Sequence, residues 1–392
     1  MSKKLLIAGG GYADIPLILA AKKLGYYVIT SGNRPHELGH RYSDEYQPAD
    51  FSKPDEIFQL SERLKIDAIC ACCNDFSALS VAYTAEKLGL AGHDSYETAK
   101  IIHHKDRYRQ FALENNIATP KAIGFTDIDD AMVNLQQLSF PIIVKPVDLT
   151  GGKGMSVLNG VSEAKAALEK AFSASHAKRV VVEEFIEGSR HGFSAFLYQG
   201  KIVFHFSDNE HYFKNPYLVS AASTPSIVPE NAINKLCAES EKIAALLSLK
   251  DGIFHVQYIL HNGEPVIIEI CRRSPGDLYI QLVAHATGVQ YAEWIVKAAI
   301  GLDCRELSHA EPQGFFTRHC IMSAEAGIVD EVKFDKSIQD NIINKYEWWQ
   351  SGQTITDIMT TKLGIVFFKF DSLTEMLEKT EHMQSLVKVQ IK

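Results

Sequence analysis

The chain lacks any apolar segment near the roughly 18 residues that a membrane span needs. The apolar run behind Met1-Ser2-Lys3-Lys4 ends at Ala8, too short for a secretory leader and without a small-residue cleavage site. Basic runs are also missing. With 40 Lys and Arg against 48 Asp and Glu, the formal charge is −8, which gives no general attraction to nucleic acid or anionic lipid. Neither is expected as a partner. Paired C-x-x-C motifs are missing, so zinc has no support. The seven cysteines are odd in number, and Cys70, Cys72 and Cys73 crowd one apolar strand. They read as reduced structural thiols of a cytoplasmic protein. No repeat or low-complexity stretch is present.

The composition is globular, 46% hydrophobic and 22% charged over 392 residues, long enough for two to four compact units. The opening alternates strands and helices. Leu5 to Ala8, Tyr26 to Thr30 and Ile66 to Cys72 read as strands, separated by helices at Ala13 to Leu24 and Pro54 to Leu64 and followed by one at Ser77 to Leu88. A βαβαβ parallel sheet is expected. A charged helix over His104 to Asn115 comes next, and then a β-richer rhythm. It includes a strand pair around Gln199-Gly200 and a hairpin around His261-Asn262-Gly263-Glu264.

Gly9-Gly10-Gly11, between a strand and a helix, invites a dinucleotide reading. Position 14 is Asp14 where that fingerprint wants glycine, and the second strand ends in Ser31-Gly32-Asn33 with no ribose carboxylate. A tight strand-to-helix turn is the better reading. Asn74-Asp75, at the end of the third strand, is open between a structural and a substrate role.

Four separated pieces point to one nucleotide site. Lys145 closes the strand Pro141-Ile142-Ile143-Val144, and a buried lysine there requires an anion. Thr150-Gly151-Gly152-Lys153-Gly154-Met155 supplies glycines that can wrap N–H groups around phosphates, with Lys153 adding charge. Val180-Val181-Val182 runs into Glu183-Glu184-Phe185-Ile186, a candidate edge for a base and ribose. Ile267-Ile268-Glu269-Ile270-Cys271-Arg272-Arg273 projects an acid and a base from one strand. With Gln257 on the partner strand, Glu269 and Arg273 can face magnesium and a phosphoryl group. A Glu269–Arg273 salt bridge is the plain alternative.

In this order and spacing the pieces resemble the ATP-grasp superfamily, over nearly the whole chain. The resemblance implies an α/β and α+β architecture. A parallel βαβ domain (1–93) would precede an entry helix and flap lobe (94–188), a catalytic lobe (189–310) and a small C-terminal α+β cap (311–392). His104-Lys105-Asp106-Arg107 resembles the entry motif, which makes Lys105 a phosphate lysine beside Lys145. Gly151, Gly152, Lys153 and Gly154 match the flap, and Glu183, Glu184, Phe185 and Ile186 match the adenine segment. Ser189-Arg190-His191 makes His191 the ribose candidate. Glu269 and Gln257 fall at the metal positions and Arg273 at the catalytic arginine. Two departures stand out: Gln257 where a carboxylate is usual, and Cys271 where an oxygen-bearing Asn is usual. Arg272-Arg273-Ser274-Pro275-Gly276 is similar to a ligase-like subgroup, which favours a retuned site.

The implied chemistry, like that of an amino-acid ligase, uses ATP and Mg2+ to activate a small-molecule carboxylate as an acyl phosphate and couple it to an amine, with Lys145 and Arg273 acting on the transferred phosphoryl group. An acceptor pocket around Tyr212, Lys214, Arg272 and Tyr279 is expected. The rivals are a carboxylase or purine-pathway enzyme using carboxyphosphate, a catalytically silent ATP binder, and a nicotinamide oxidoreductase. Relatives are often dimers, so a homodimer is one expectation.

Overall fold

The computed structural model describes residues 2–392. Four parallel strands lie in the order Glu45–Pro48, Tyr27–Gly32, Lys4–Ala8, Ala68–Ala71. Unbroken apolar runs suit a parallel sheet covered on both faces, and Leu5, Leu6, Ile7 and Ala8 are all fully buried. Alternation sends these side chains to different cores. Leu6 and Ala8 pack with Ile57 and Val81 of the domain's own helices. Leu5 and Ile7 share a core with Leu282 and Val296, far along the chain. The first domain is therefore fused to the catalytic lobe through one apolar face. The edge strand Glu45–Pro48 is an addition to the expected βαβαβ unit.

The helix expected from His104 to Asn115 is Lys105–Glu114, and a further helix, Tyr96–His103, precedes it, the two separated where His104 is extended at φ −107° and ψ 119°. The break puts Lys105 on a first helical turn. Next comes a small antiparallel sheet in the order Ala122–Phe125, Val180–Glu184, Ile142–Pro146, Ser156–Leu158. Helix Ala164–Ala174 covers it, with Ile142, Val144, Leu168, Val180 and Val182 in a separate core. This is the flap lobe.

The largest layer is an eight-stranded antiparallel sheet. Its order is Glu264–Cys271, Gly252–His261, Ser189–Tyr198, Lys201–Tyr212, Val219–Thr224, Phe315–Ile321, Gly364–Phe370, Ile342–Glu347. The last three strands come from the C-terminal α+β region, so the sheet runs on past residue 310. Helix Glu230–Leu247 packs Leu236 and Ile243 on one face, against Phe193, Phe254 and Val256. All seven cysteines are free, and five of them are buried. Among the described residues no helix is long and apolar enough to cross a membrane.

Candidate active site

The site starts from strand register. Gln257 sits opposite Glu269, and on its other side opposite Gly192, which sits opposite Asp208. Directly paired residues point to one face of a sheet, so this row faces a cleft roofed by the flap lobe. Lys105 reaches down to it, donating to Glu269 Oε1 at 3.0 Å and to the Leu149 carbonyl at 2.9 Å. Beneath the roof Lys145 Nζ lies 2.7 Å from Glu183 Oε2, and Arg109 Nη2 lies 3.0 Å from Glu183 Oε1. All three are nearly fully buried. Burial lowers the Lys145 pKa even with Glu183 opposing it. Burial alone would raise Glu183, but Arg109 and Lys145 hold it below the usual carboxylate range. Three cations thus face two carboxylates in a poorly solvated cleft, and the uncompensated positive charge suits a phosphate.

Arg273 does not pair with Glu269. Its Nε and Nη2 donate to Asp75 Oδ1 and Oδ2 at 3.1 and 2.8 Å, and His103 Nδ1 lies 2.8 Å from Asp75 Oδ1. Asp75, ambiguous in sequence, is the clamp by which the first domain aims this guanidinium. Desolvation would raise the Asp75 pKa, but the charge of Arg273 and the His103 contact hold it well below the ordinary value.

One cleft of about 380 Å³ is lined by Lys105, Lys145, Gly151, Glu183, Glu184, Phe185, Ile186, Gln257, Glu269 and Arg273. The structure brings these expected residues together. It does not bring the others. Lys153 is exposed, and Gly152 and Gly154, at φ 78° and 73°, are not on the cleft wall. His191 is a correction to the ribose expectation. Its ring is 1% exposed, its nitrogens meet the Asp208 carbonyl at 3.2 Å and Ser189 Oγ at 2.8 Å, and Arg190 takes the place on the wall. Arg272 also leaves the acceptor pocket: it pairs with Asp94 at 2.8 Å and braces two domains. Lys214 is exposed and off the wall.

The front glycines hold no ligand space. Gly11 N–H donates to Asp14 Oδ2 at 2.8 Å and Cys73 N–H to Asp14 Oδ1 at 2.9 Å. A Cβ on Gly10 would lie 2.2 Å from the His40 ring. The turn is filled by its own chain, which removes the dinucleotide reading.

The far end of the cleft holds groups that the sequence did not single out. Asp208 and Glu210 project from one strand face. Tyr279 OH donates to Asp208 Oδ1 at 2.6 Å, and Glu210 accepts from Tyr212 at 2.5 Å and Gln257 Nε2 at 2.7 Å. Burial, with the Glu210 charge, raises the Asp208 pKa to about 7. Asp277 meets Tyr12 OH at 2.6 Å, Lys362 Nζ at 2.5 Å and Arg318 Nη1 at 3.5 Å. The available signal was acidic residues at two-residue spacing between Phe206 and Tyr212.

For magnesium the donor set is lean but workable. Glu269 offers an accessible carboxylate, and Gln257 keeps an amide oxygen while its nitrogen serves Glu210. Cys271 is buried, its thiol directed at the Arg273 carbonyl, so it adds nothing. Among the described residues no group of three or more His, Cys, Asp or Glu could hold a metal unaided. Magnesium is commonly held by one or two carboxylates with substrate phosphates completing the shell. The residues fit that arrangement.

A family model, the ATP-binding domain of the carbamoyl-phosphate synthase L chain, matches residues 105–307. The chain belongs to that family. The match begins at Lys105 and takes in the glycine loop at 151–154, the Glu183–Ile186 segment and the Glu269–Arg273 strand. The C-terminal section of the carbamoyl phosphate synthase large chain of Aquifex aeolicus is 24% identical over 331 residues, 78% of this chain and 60% of that one. This chain therefore spans less than two thirds of that relative's length. Among solved structures, the L-amino acid ligase of Bacillus licheniformis superposes with a TM-score of 0.82 at 18% identity, covering 100% and 99% of the two chains. The phosphoribosylglycinamide synthetase of Anaerococcus prevotii gives 0.78 at 24%, covering both chains fully. The fold is that of ATP-grasp enzymes.

Proposed function

We propose that the protein is a carboxylate–amine ligase that uses ATP as co-substrate and Mg2+ as cofactor. The reading rests on Lys105, Lys145, Glu269 and Arg273 lining one cleft with the Glu183–Ile186 segment. Glu269 and Gln257 would hold the metal, which supplies charge neutralisation between the phosphates. Glu184, Phe185 and Ile186 would receive the base edge. Lys105 and Lys145 bind the phosphates, and Arg273, fixed by Asp75, faces the phosphoryl group as it passes to the carboxylate oxygen of the substrate. The positive-φ glycines of the flap let it close and exclude water from the acyl phosphate. An amine then attacks the acyl carbon and phosphate leaves.

The carboxyphosphate alternative requires an acceptor end that welcomes a small anion, where Asp208 and Glu210 set two carboxyl groups beside the one guanidinium of Arg318. Hydroxylamine trapping tests the reading. With Mg-ATP, hydroxylamine and a panel of amino acids and small carboxylates, the expected result is ADP release matched by hydroxamate. Tight ATP binding with no turnover on any carboxylate would support a silent binder, and bicarbonate-dependent ADP release without hydroxamate would support a carboxylase.

A further inference from the structure

Three segments far apart in the chain meet at Asp75. The aspartate is the first residue of helix Asp75–Leu88, whose N-cap Asn74 accepts from the Phe76 N–H, so its carboxylate leaves a fixed turn. One arm on it is Arg273, which follows strand Glu264–Cys271 and places Nε on Oδ1 and Nη2 on Oδ2. The other is His103, the last residue of helix Tyr96–His103. A ring nitrogen that faces a carboxylate carries the proton, so His103 Nδ1 donates to Oδ1 at 2.8 Å.

The His103 side chain is 1% exposed, and its Nε2 has no protein partner. It borders a cavity of about 60 Å³ between the first domain and the catalytic lobe, which His93, Asp94, Arg272, Arg273 and Ser274 also line. Such a space admits water. An apolar side chain would fill the same place without a bare buried nitrogen, so packing does not account for a histidine here. The position in the chain gives the bond its use. His103 is followed by extended His104 and then by Lys105, whose N–H meets the Val147 carbonyl at 3.1 Å and whose Nζ reaches Glu269. One carboxylate therefore fixes both the Arg273 guanidinium and the chain that enters the phosphate lysine.

We infer that His103 is a positioning residue: through Asp75 it sets Lys105 and Arg273 in fixed relation to each other for phosphoryl transfer. It lies off the wall of the ATP cleft and acts without touching nucleotide or substrate. The inference rests on the ligase reading and adds to it a residue outside the cleft.

Substitution separates this role from packing. Asparagine carries an amide N–H at the same number of bonds from the backbone as Nδ1, and leucine carries a methyl group there. The test measures ADP release with Mg-ATP, hydroxylamine and whichever amino acid or small carboxylate turns over fastest in the wild type. Calorimetry with a non-hydrolysable ATP analogue runs beside it, on full chains of wild type, His103→Leu, His103→Asn, Asp75→Asn and the Asp75→Asn, His103→Leu pair. His103→Leu should lower turnover about tenfold, the worth of one hydrogen bond to a charged group, and shift analogue affinity by less than about threefold. His103→Asn should restore turnover to within about threefold of the wild type. In the pair, His103→Leu should add less than about threefold to the loss from Asp75→Asn alone, because both act through one bond, whereas independent losses multiply. His103→Leu as active as the wild type or as His103→Asn overturns the inference. So do multiplied losses in the pair, or analogue affinity that falls in step with turnover. In each of these cases the wild type still turns over and the ligase reading stands. A wild type that releases no ADP with any carboxylate removes that reading, and the inference with it.

Discussion

Asp75→Asn tests whether the first domain serves the chemistry or merely packs beside it. The replacement keeps shape and one acceptor oxygen but removes the charge that receives two Arg273 donors at 3.1 and 2.8 Å and the His103 ring at 2.8 Å. Arg273 is 14% exposed on its side chain and Asp75 16%, so solvent compensates little. Removing one partner of a buried pair costs about 3–5 kcal/mol; with one acceptor retained and slight exposure, about 2 kcal/mol is expected here. Catalysis should suffer more. A misplacement near 1 Å of a group at the reacting centre can cost about 100-fold, and the guanidinium loses the fork that fixed its plane. The expected outcome is a fall of about 100-fold in the turnover of ADP release, with ATP-analogue affinity changed less than about threefold, because Asp75 bonds Arg273 and His103 and neither phosphate lysine.

The pH dependence supplies a second readout. The folded-state pKa of Asp75 is depressed. Its contribution to stability is therefore present above the unfolded carboxylate value and is lost as pH falls through the depressed range. Wild-type and Asp75→Asn melting temperatures should differ at neutral pH and converge in acid. Turnover unaffected by Asp75→Asn, or a stability gap that persists in acid, refutes the clamp.

Lys145→Met leaves Glu183 with Arg109 alone and should weaken ATP-analogue binding by about 30-fold in calorimetry. Lys153→Ala, altering an exposed side chain, should change the ATP KM by less than about threefold. Gly152→Ala places a Cβ 2.8 Å from the Tyr217 ring at φ 78°; the left-handed penalty of about 1–2 kcal/mol should raise the ATP KM about tenfold. Cys271→Asn adds an oxygen beside Glu269 and should lower the magnesium needed for half-maximal turnover about tenfold; an unchanged requirement would show that position 271 does not face the metal.

Features carried by local sequence were legible. Asn262 and Gly263 take φ 52° and 80°, as a two-residue hairpin turn demands, and the strand-end Lys145 lies where its position promised. Helix Tyr279–Thr287 gave no local start signal. Leu278 stands at its N-cap with φ 55°, after Asp277 at 56°, and no side chain caps it. His191 lies on the sheet face opposite to that of Gln257. Gln257 faces Gly192 and Ile259 faces Arg190, so the cleft face carries positions 190 and 192, and a shift of one sends the side chain to the other face. The Arg273 partner could not be read at all, because Asp75 is 198 residues away and pairs through the docking of two domains.

The acceptor end was hardest to see because its contacts span the whole chain. Asp277 receives Tyr12 from the first domain and Lys362 and Arg318 from the C-terminal region, so three distant parts of the chain meet on one carboxylate. Burial raises the cost of each charge, and each partner offsets it only if all three regions are docked. Asp277 is held to a pKa of about 2 against its own burial, chiefly by Lys362 and Arg318. Residues beyond 310 therefore do more than complete a sheet. Without them Asp277 would lose both of its cations, and the cleft would lose the Arg318 guanidinium from its wall.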